Sequence, residues 1–250
     1  AGGQLFCAEY FLRGAPRRGW AWTLLGIATY GLLIVVVAPL LLLVTFMLGY
    51  AVAGEPVRES LDALTDTDNV TPSVLLFLNL SLAAAIPVAW FVVRVVHGLR
   101  PRWLSSVAPR IRWAWFAVCL GLAVLALVAT VIVAAAVPAQ DSGLSGELNS
   151  FSDATRDFLL VVLLLTPLQA AGEEYAFRGY LTQAFGGLFR SPVPAVLVPA
   201  VLFALAHGAQ DAPIFVDRLA FGIVAGVLVI LTGGLEASIA MHVLNNWLAF

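Results

Sequence analysis

Leu32-Leu33-Ile34-Val35-Val36-Val37-Ala38-Pro39-Leu40-Leu41-Leu42-Leu43 is apolar on every face, so a helix of these residues has no polar stripe to turn toward water. Such a run suits hydrocarbon, which a helix crosses with about 20 residues rising about 1.5 Å each. A closed outer-membrane barrel would need apolar and polar side chains in alternation, and the stretch has none. Outward from it, further apolar runs predict spans at roughly 20–49, 72–96, 113–138, 155–185, 193–209, 213–231 and 235–250. The expected fold is an all-α integral membrane protein, a bundle of about seven transmembrane helices with a polar intramembrane cavity.

The composition agrees. Of 250 residues, 61% are hydrophobic and 11% charged, too little polar surface to cover a soluble globule of this length. All thirteen basic residues are Arg, and a formal net charge of −2 gives no sign of nucleic-acid binding. The arginines report topology instead. Arg13, Arg17 and Arg18 precede the first span, Arg94, Arg100, Arg102, Arg110 and Arg112 crowd the second loop, and Arg190 lies in the fourth. The alternate loops carry Glu55, Glu59, Asp62, Asp66 and Asp68, then Asp141, Glu147 and Asp153. An excess of arginine on the inner side predicts a multi-pass protein of the cell membrane with a cytoplasmic N-terminus. Pro101–Trp115, with Trp103, Trp113 and Trp115 among arginines, reads as a segment at headgroup level, and His97 as an interfacial residue without a role. Cys7 and Cys119 support neither a disulfide framework nor a cysteine metal cluster. The first apolar run is too long for a signal-peptide core and is read as a retained helix. The organisation is a cytoplasmic leader at 1–19, helices one to three with their loops at 20–150, and a chemistry-bearing region at 151–250.

That last region begins with Gln169-Ala-Ala-Gly-Glu-Glu-Tyr-Ala-Phe-Arg-Gly-Tyr180. Charges inside an apolar helix cost about 2.5–3.5 kcal/mol each near the bilayer centre, so they are paired, wetted or functional. Glu174 and Arg178, four residues apart, share a face and can pair. Glu173 projects about 100° away and is left for another cavity. His207 and His242 stand in otherwise apolar helices, and Asn246 follows His242 by one turn on the same face. If the fourth helix stopped at Arg178, Glu173 and His207 would lie at opposite membrane faces. If it continues to Gly186-Gly187, both lie about 20 Å from the inner side, with His242 and Asn246 about 12–18 Å up from Gly234. This predicts one shared site opening toward the cytoplasm.

At these residues the chain resembles the CPBP family of intramembrane proteases, which includes the type II CAAX prenyl endopeptidases and bacteriocin-processing or immunity relatives. The family's Glu-Glu-x-x-x-Arg is Glu173, Glu174 and Arg178, its Phe-x-x-x-His is Phe203 and His207, and its His-x-x-x-Asn is His242 and Asn246. The resemblance spans roughly 155–250 and implies an intramembrane endopeptidase acting on a membrane-associated peptide or protein within the lipid bilayer. Glu173 would activate water as general base, His207 would orient that water or pass on its proton, and His242 and Asn246 would donate to the oxyanion. Glu174 and Arg178 would support the catalytic helix. A metalloprotease-like centre, with zinc on Glu173, His207 and His242, is the mechanistic alternative. The metal-free version is favoured, because the chain lacks a His-Glu-x-x-His helix and a ligated Glu173 leaves no equally obvious base. From another functional class, a catalytically idle scaffold or immunity-type binding protein could carry the same polar cluster.

Overall fold

The computed structural model describes residues 15–17, 19–136, 151–208 and 210–249. Most of the leader with Cys7, and the acidic positions Asp141 and Glu147, lie outside the described residues. Among those described, the chain forms helices α1 (Trp20–Ala53), α2 (Val57–Thr65), α3 (Pro72–Val95) and α4 (Trp113–Ala136), then α5 (Asp153–Phe189), α6 (Pro192–Ala206), α7 (Ala212–Thr232) and α8 (Glu236–Leu248). The all-α membrane fold is as the sequence predicts.

The number of spans is not. Five helices, α1, α3, α4, α5 and α7, are long and apolar enough to cross a membrane. Helices α6 and α8 have 15 and 13 residues. They rise only about 20–22 Å, against a hydrocarbon core of about 30 Å. Hydropathy counted Gly208 and the turn before Glu236 into these spans, although the backbone leaves the helix there.

The lipid-type surface lies outside and the charge inside. Val35, Leu125 and Leu164 are 73%, 66% and 65% exposed, whereas Glu174, Arg178, Glu236 and His97 are between 0% and 1% exposed. In water that arrangement would be unstable; in lipid it minimises the cost of both kinds of group. The protein is a multi-pass membrane protein.

Helix α5 is the central post. It runs unbroken for 37 residues, well beyond Arg178, and widens into a π-helical stretch over Tyr175–Leu181, directly after the paired glutamates. Small residues set the distances around it. A Cβ on Gly172 would overlap the Leu82 carbonyl oxygen and stand 2.9 Å from Ala83 Cα, so only glycine lets α5 touch the backbone of α3 beside Glu173. Gly222 of α7 likewise lies against Ala200 of α6, where an added Cβ would approach the Ala200 Cα to 3.0 Å. This close pairing puts Phe203 and Phe221 in a stacked contact with centroids 5.7 Å apart.

The N-terminus of α8 is tied down by the 98–112 loop. Val107 N–H donates to the Gly233 carbonyl at 2.9 Å, and Leu235 N–H to the Ser105 carbonyl at 2.9 Å. Buried Glu236 accepts from the Arg112 backbone N–H at 2.8 Å, from Nε at 2.9 Å and from Nη2 at 2.7 Å. The loop is therefore partly interior: Leu104, Ser105 and Ser106 are buried, although Trp113 remains 72% exposed as a headgroup-level residue would. His97 is also interior. It is 0% exposed and Nε2 lies 3.1 Å from the Tyr180 hydroxyl, which corrects its reading as an interfacial residue.

The close approach at Gly172 predicts a sharp position dependence. Gly172→Ala is expected to lower the melting temperature of the detergent-purified protein, at a cost of about 1–3 kcal/mol. Gly121→Ala in α4, where an added Cβ meets nothing within 4 Å, is expected to leave it unchanged or slightly raised. Equal melting temperatures for the two variants would refute the packing account.

Candidate active site

The site starts from the cost of burying Arg178. Its Nη1 donates to Glu174 Oε1 at 3.0 Å, one turn back on α5, and the guanidinium lies 4.3 Å from the centre of the Phe203 ring. Glu174 Oε1 also faces His242 Nδ1 at 2.8 Å, and His242 Nε2 faces Glu173 Oε2 at 3.2 Å. Arg178, Glu174, His242 and Glu173 thus form one chain of contacts across α5 and α8. Both ring nitrogens of His242 meet a carboxylate; an imidazolium satisfies both contacts, a neutral ring only one. The rings of Phe203 and Phe221 stand edge-on to the imidazole with centroids 5.9 Å and 5.0 Å away, and keep its surroundings apolar.

His207 caps the C-terminus of α6. Its Nδ1 lies 2.7 Å from the Phe203 carbonyl, an acceptor only, so Nδ1 carries a proton and donates there. Nε2 is left for chemistry. Asn246 Nδ2 donates to Gln169 Oε1 at 2.9 Å, which fixes the amide and leaves it one further N–H.

Glu173, His207, His242 and Asn246 all line one cavity of about 50 Å³, shared with Gln169, Phe203, Asp217, Arg218, Phe221 and Asn245. That is room for a few water molecules. Glu173 and His242 lie at its inner part, and exposed His207, Asp217 and Asn245 form the rim. The rim belongs to the helix ends remote from the arginine-rich 98–112 loop and Arg190, which corrects the expected opening on the arginine side. Glu174 and Arg178 do not line the cavity; they are fully buried and reach it only through His242.

Several participants escaped the sequence reading. Asn245, assigned no part there, is at the rim, and Gln169 fixes Asn246. Asp217 and Arg218 carry a signal in the sequence: two charges inside an apolar span need the same explanation as Glu173 and Glu174. His242 is placed differently from its oxyanion assignment, because both of its nitrogens are engaged by the glutamates.

The alternative zinc set is not assembled. Among the described residues no group of three or more His, Cys, Asp or Glu side chains is placed to hold a metal ion. Glu173 and His242 are turned on each other, and His207 Nδ1 is occupied by a carbonyl. The metalloprotease-like reading has no support in this donor geometry, and no step is derived through a metal.

Residues 155–248, from the first turn of α5 to the end of α8, match the family model described as type II CAAX prenyl endopeptidase Rce1-like. This segment is similar to the Rce1-like family. The match contains all the motif residues that carried the resemblance and excludes α1 to α4. A second likeness reaches further: an uncharacterized protein of Bacillus subtilis (strain 168), YyaK, is 32% identical over 171 residues, 65% of this chain and 55% of YyaK. The chain spans about half the length of that curated relative. No solved structure matches.

The contact chain predicts a double consequence of one substitution. Glu174→Gln leaves Arg178 buried beside a neutral amide and removes the anion from His242 Nδ1, a loss on the order of 3–5 kcal/mol. The variant is expected to melt at much lower temperature than wild type. Replacing both partners, as Glu174→Gln with Arg178→Met, is expected to recover part of that loss, because no unpaired charge remains. A double variant no more stable than Glu174→Gln would show that the ion pair is not what holds this region.

Proposed function

We propose that the protein is an intramembrane endopeptidase that hydrolyses peptide bonds of a membrane-associated peptide or protein, with Glu173 as general base. The observation that carries the reading is the contact of Glu173 with His242 beside a cavity sized for water, backed by a buried, charge-balanced Glu174–Arg178 pair. We further propose that it resides in the cell membrane with its N-terminus in the cytoplasm, from the arginine distribution.

Water in the cavity loses a proton to Glu173 as its oxygen bonds to the scissile carbonyl carbon. The Nε2 lone pair of His207 accepts the water's other hydrogen and aims the oxygen. The electron pair of the carbonyl moves onto its oxygen, which the free N–H of Asn246 meets; donors of this kind contribute about 3–4 kcal/mol in other hydrolases. His242 holds Glu173 in place and balances its charge until the proton arrives. Glu173 then passes that proton to the amide nitrogen, the electron pair on the oxyanion re-forms the C=O bond as the C–N bond breaks, and a carboxylic acid and an amine result; the acid gives its proton to the amine, so a carboxylate and an ammonium leave.

Glu173→Gln keeps the shape and removes the base. Cleavage of a reporter peptide by the purified protein is expected to fall by a factor of about 10² or more, with the melting temperature near that of wild type. His207→Ala and Asn246→Ala are expected to lower kcat in the same well-folded background. Normal cleavage by folded Glu173→Gln protein would sink the general-base assignment.

A further inference from the structure

Arg218 is the cation that the proposed chemistry leaves unused. It sits six residues into α7, a helix apolar enough to cross a membrane, about 9 Å from the helix start. It lines the same cavity as Glu173. Its Nε is buried and has no hydrogen-bond partner, and none of the ion pairs among the described residues involves it. The neighbouring Asp217 also lines the cavity but projects about 100° around the helix and forms no ion pair with it. An unpaired charge within an apolar helix and a buried donor without an acceptor are both unfavourable. Arg218 is half-buried, and the two fully buried cations near the site have anions: Arg178 has Glu174, and His242 has both glutamates. Arg218 has none, and it faces the space that a substrate must enter.

We propose that Arg218 is a specificity-determining residue that binds a carboxylate of the peptide substrate, so that the site selects peptides carrying negative charge close to the scissile bond. Guanidinium and carboxylate match in a two-pronged geometry, and the surrounding apolar wall of Phe203 and Phe221 strengthens the pairing. The carboxylate is either the peptide's C-terminus or an acidic side chain; the chemistry at Arg218 is the same. The proposal rests on the endopeptidase reading only in calling the bound peptide a substrate, and a binding assay separates the two.

The test uses the full-length protein in phosphatidylcholine nanodiscs, with Glu173→Gln present so that bound peptide stays intact. Fluorescein-labelled apolar peptides of one sequence are compared in three forms: a free C-terminal carboxylate, a C-terminal amide, and an amide with one Asp near the end. At least one carboxylate form is expected to bind roughly tenfold to a hundredfold more tightly than the plain amide, and Arg218→Gln is expected to abolish that difference while Arg218→Lys restores part of it. Which form wins identifies the source of the charge. In the cleavage-competent protein, Arg218→Gln should raise KM for the favoured peptide with little change in kcat. Equal binding of all three forms, or equal loss of all three in Arg218→Gln, would overturn the proposal. So would discrimination that vanishes when phosphatidylglycerol is added to the discs, which would make a lipid headgroup the partner. Charge discrimination without any cleavage by wild type would keep Arg218 as an anion anchor and remove the peptidase reading instead.

Discussion

A guanidinium, two carboxylates and an imidazolium, alternating in charge from Arg178 through Glu174 and His242 to Glu173, couple α5 to α8 in the interior of an apolar bundle. No member of this chain is tolerable alone there, because each isolated charge costs several kcal/mol in a medium that cannot solvate it. Together they sum to zero. The arrangement fixes the rotation of α8 about its axis, since His242 must reach both glutamates, and so determines where Asn246 emerges one turn later. It also leaves Glu173 at the wet end and Glu174 at the dry end, so adjacent glutamates on one helix acquire different work.

The rest of the bundle serves to bring this chain to one depth. Gly172 lets α3 press against α5, Gly222 lets α6 and α7 close, and the Arg112–Glu236 pair holds the first turn of α8 at the level of the 98–112 loop. The short helices α6 and α8 are consistent with this. His207 stands at the C-cap of α6 and Asn246 in the last turn of α8, so both reach the cavity from helix ends. Irregular backbone at such a depth is tolerable where it borders a wetted cavity.

Much of the site was legible because charge in an apolar helix has few explanations. Glu173, Glu174 and Arg178 stand out for that reason, and the depth argument correctly required α5 to run past Arg178. What failed did so for physical reasons. Arg112 and Glu236 are 124 residues apart and each resembles an ordinary charge at a helix boundary, so nothing in either neighbourhood announces their pairing. His97 is buried by contacts from distant helices, Gly26 and Tyr180 among them, and its local sequence describes only a helix end. The count of spans failed because hydropathy measures how many residues are apolar, not where the backbone turns inside the bundle. The orientation of His242 depends on two hydrogen bonds at once, which spacing along one helix cannot reveal.

The central claim is that Glu173 acts on water and not on the peptide itself. A single turnover in water enriched in oxygen-18, with enzyme in excess over a reporter peptide, tests this directly. Direct attack by activated water predicts that the label appears in the newly formed C-terminal carboxylate of the product, while Glu173 recovered by proteolysis and mass spectrometry is unlabelled. An unlabelled product together with oxygen-18 in the Glu173 side chain would mean that the carboxylate attacked the peptide and formed an anhydride, and would contradict the account.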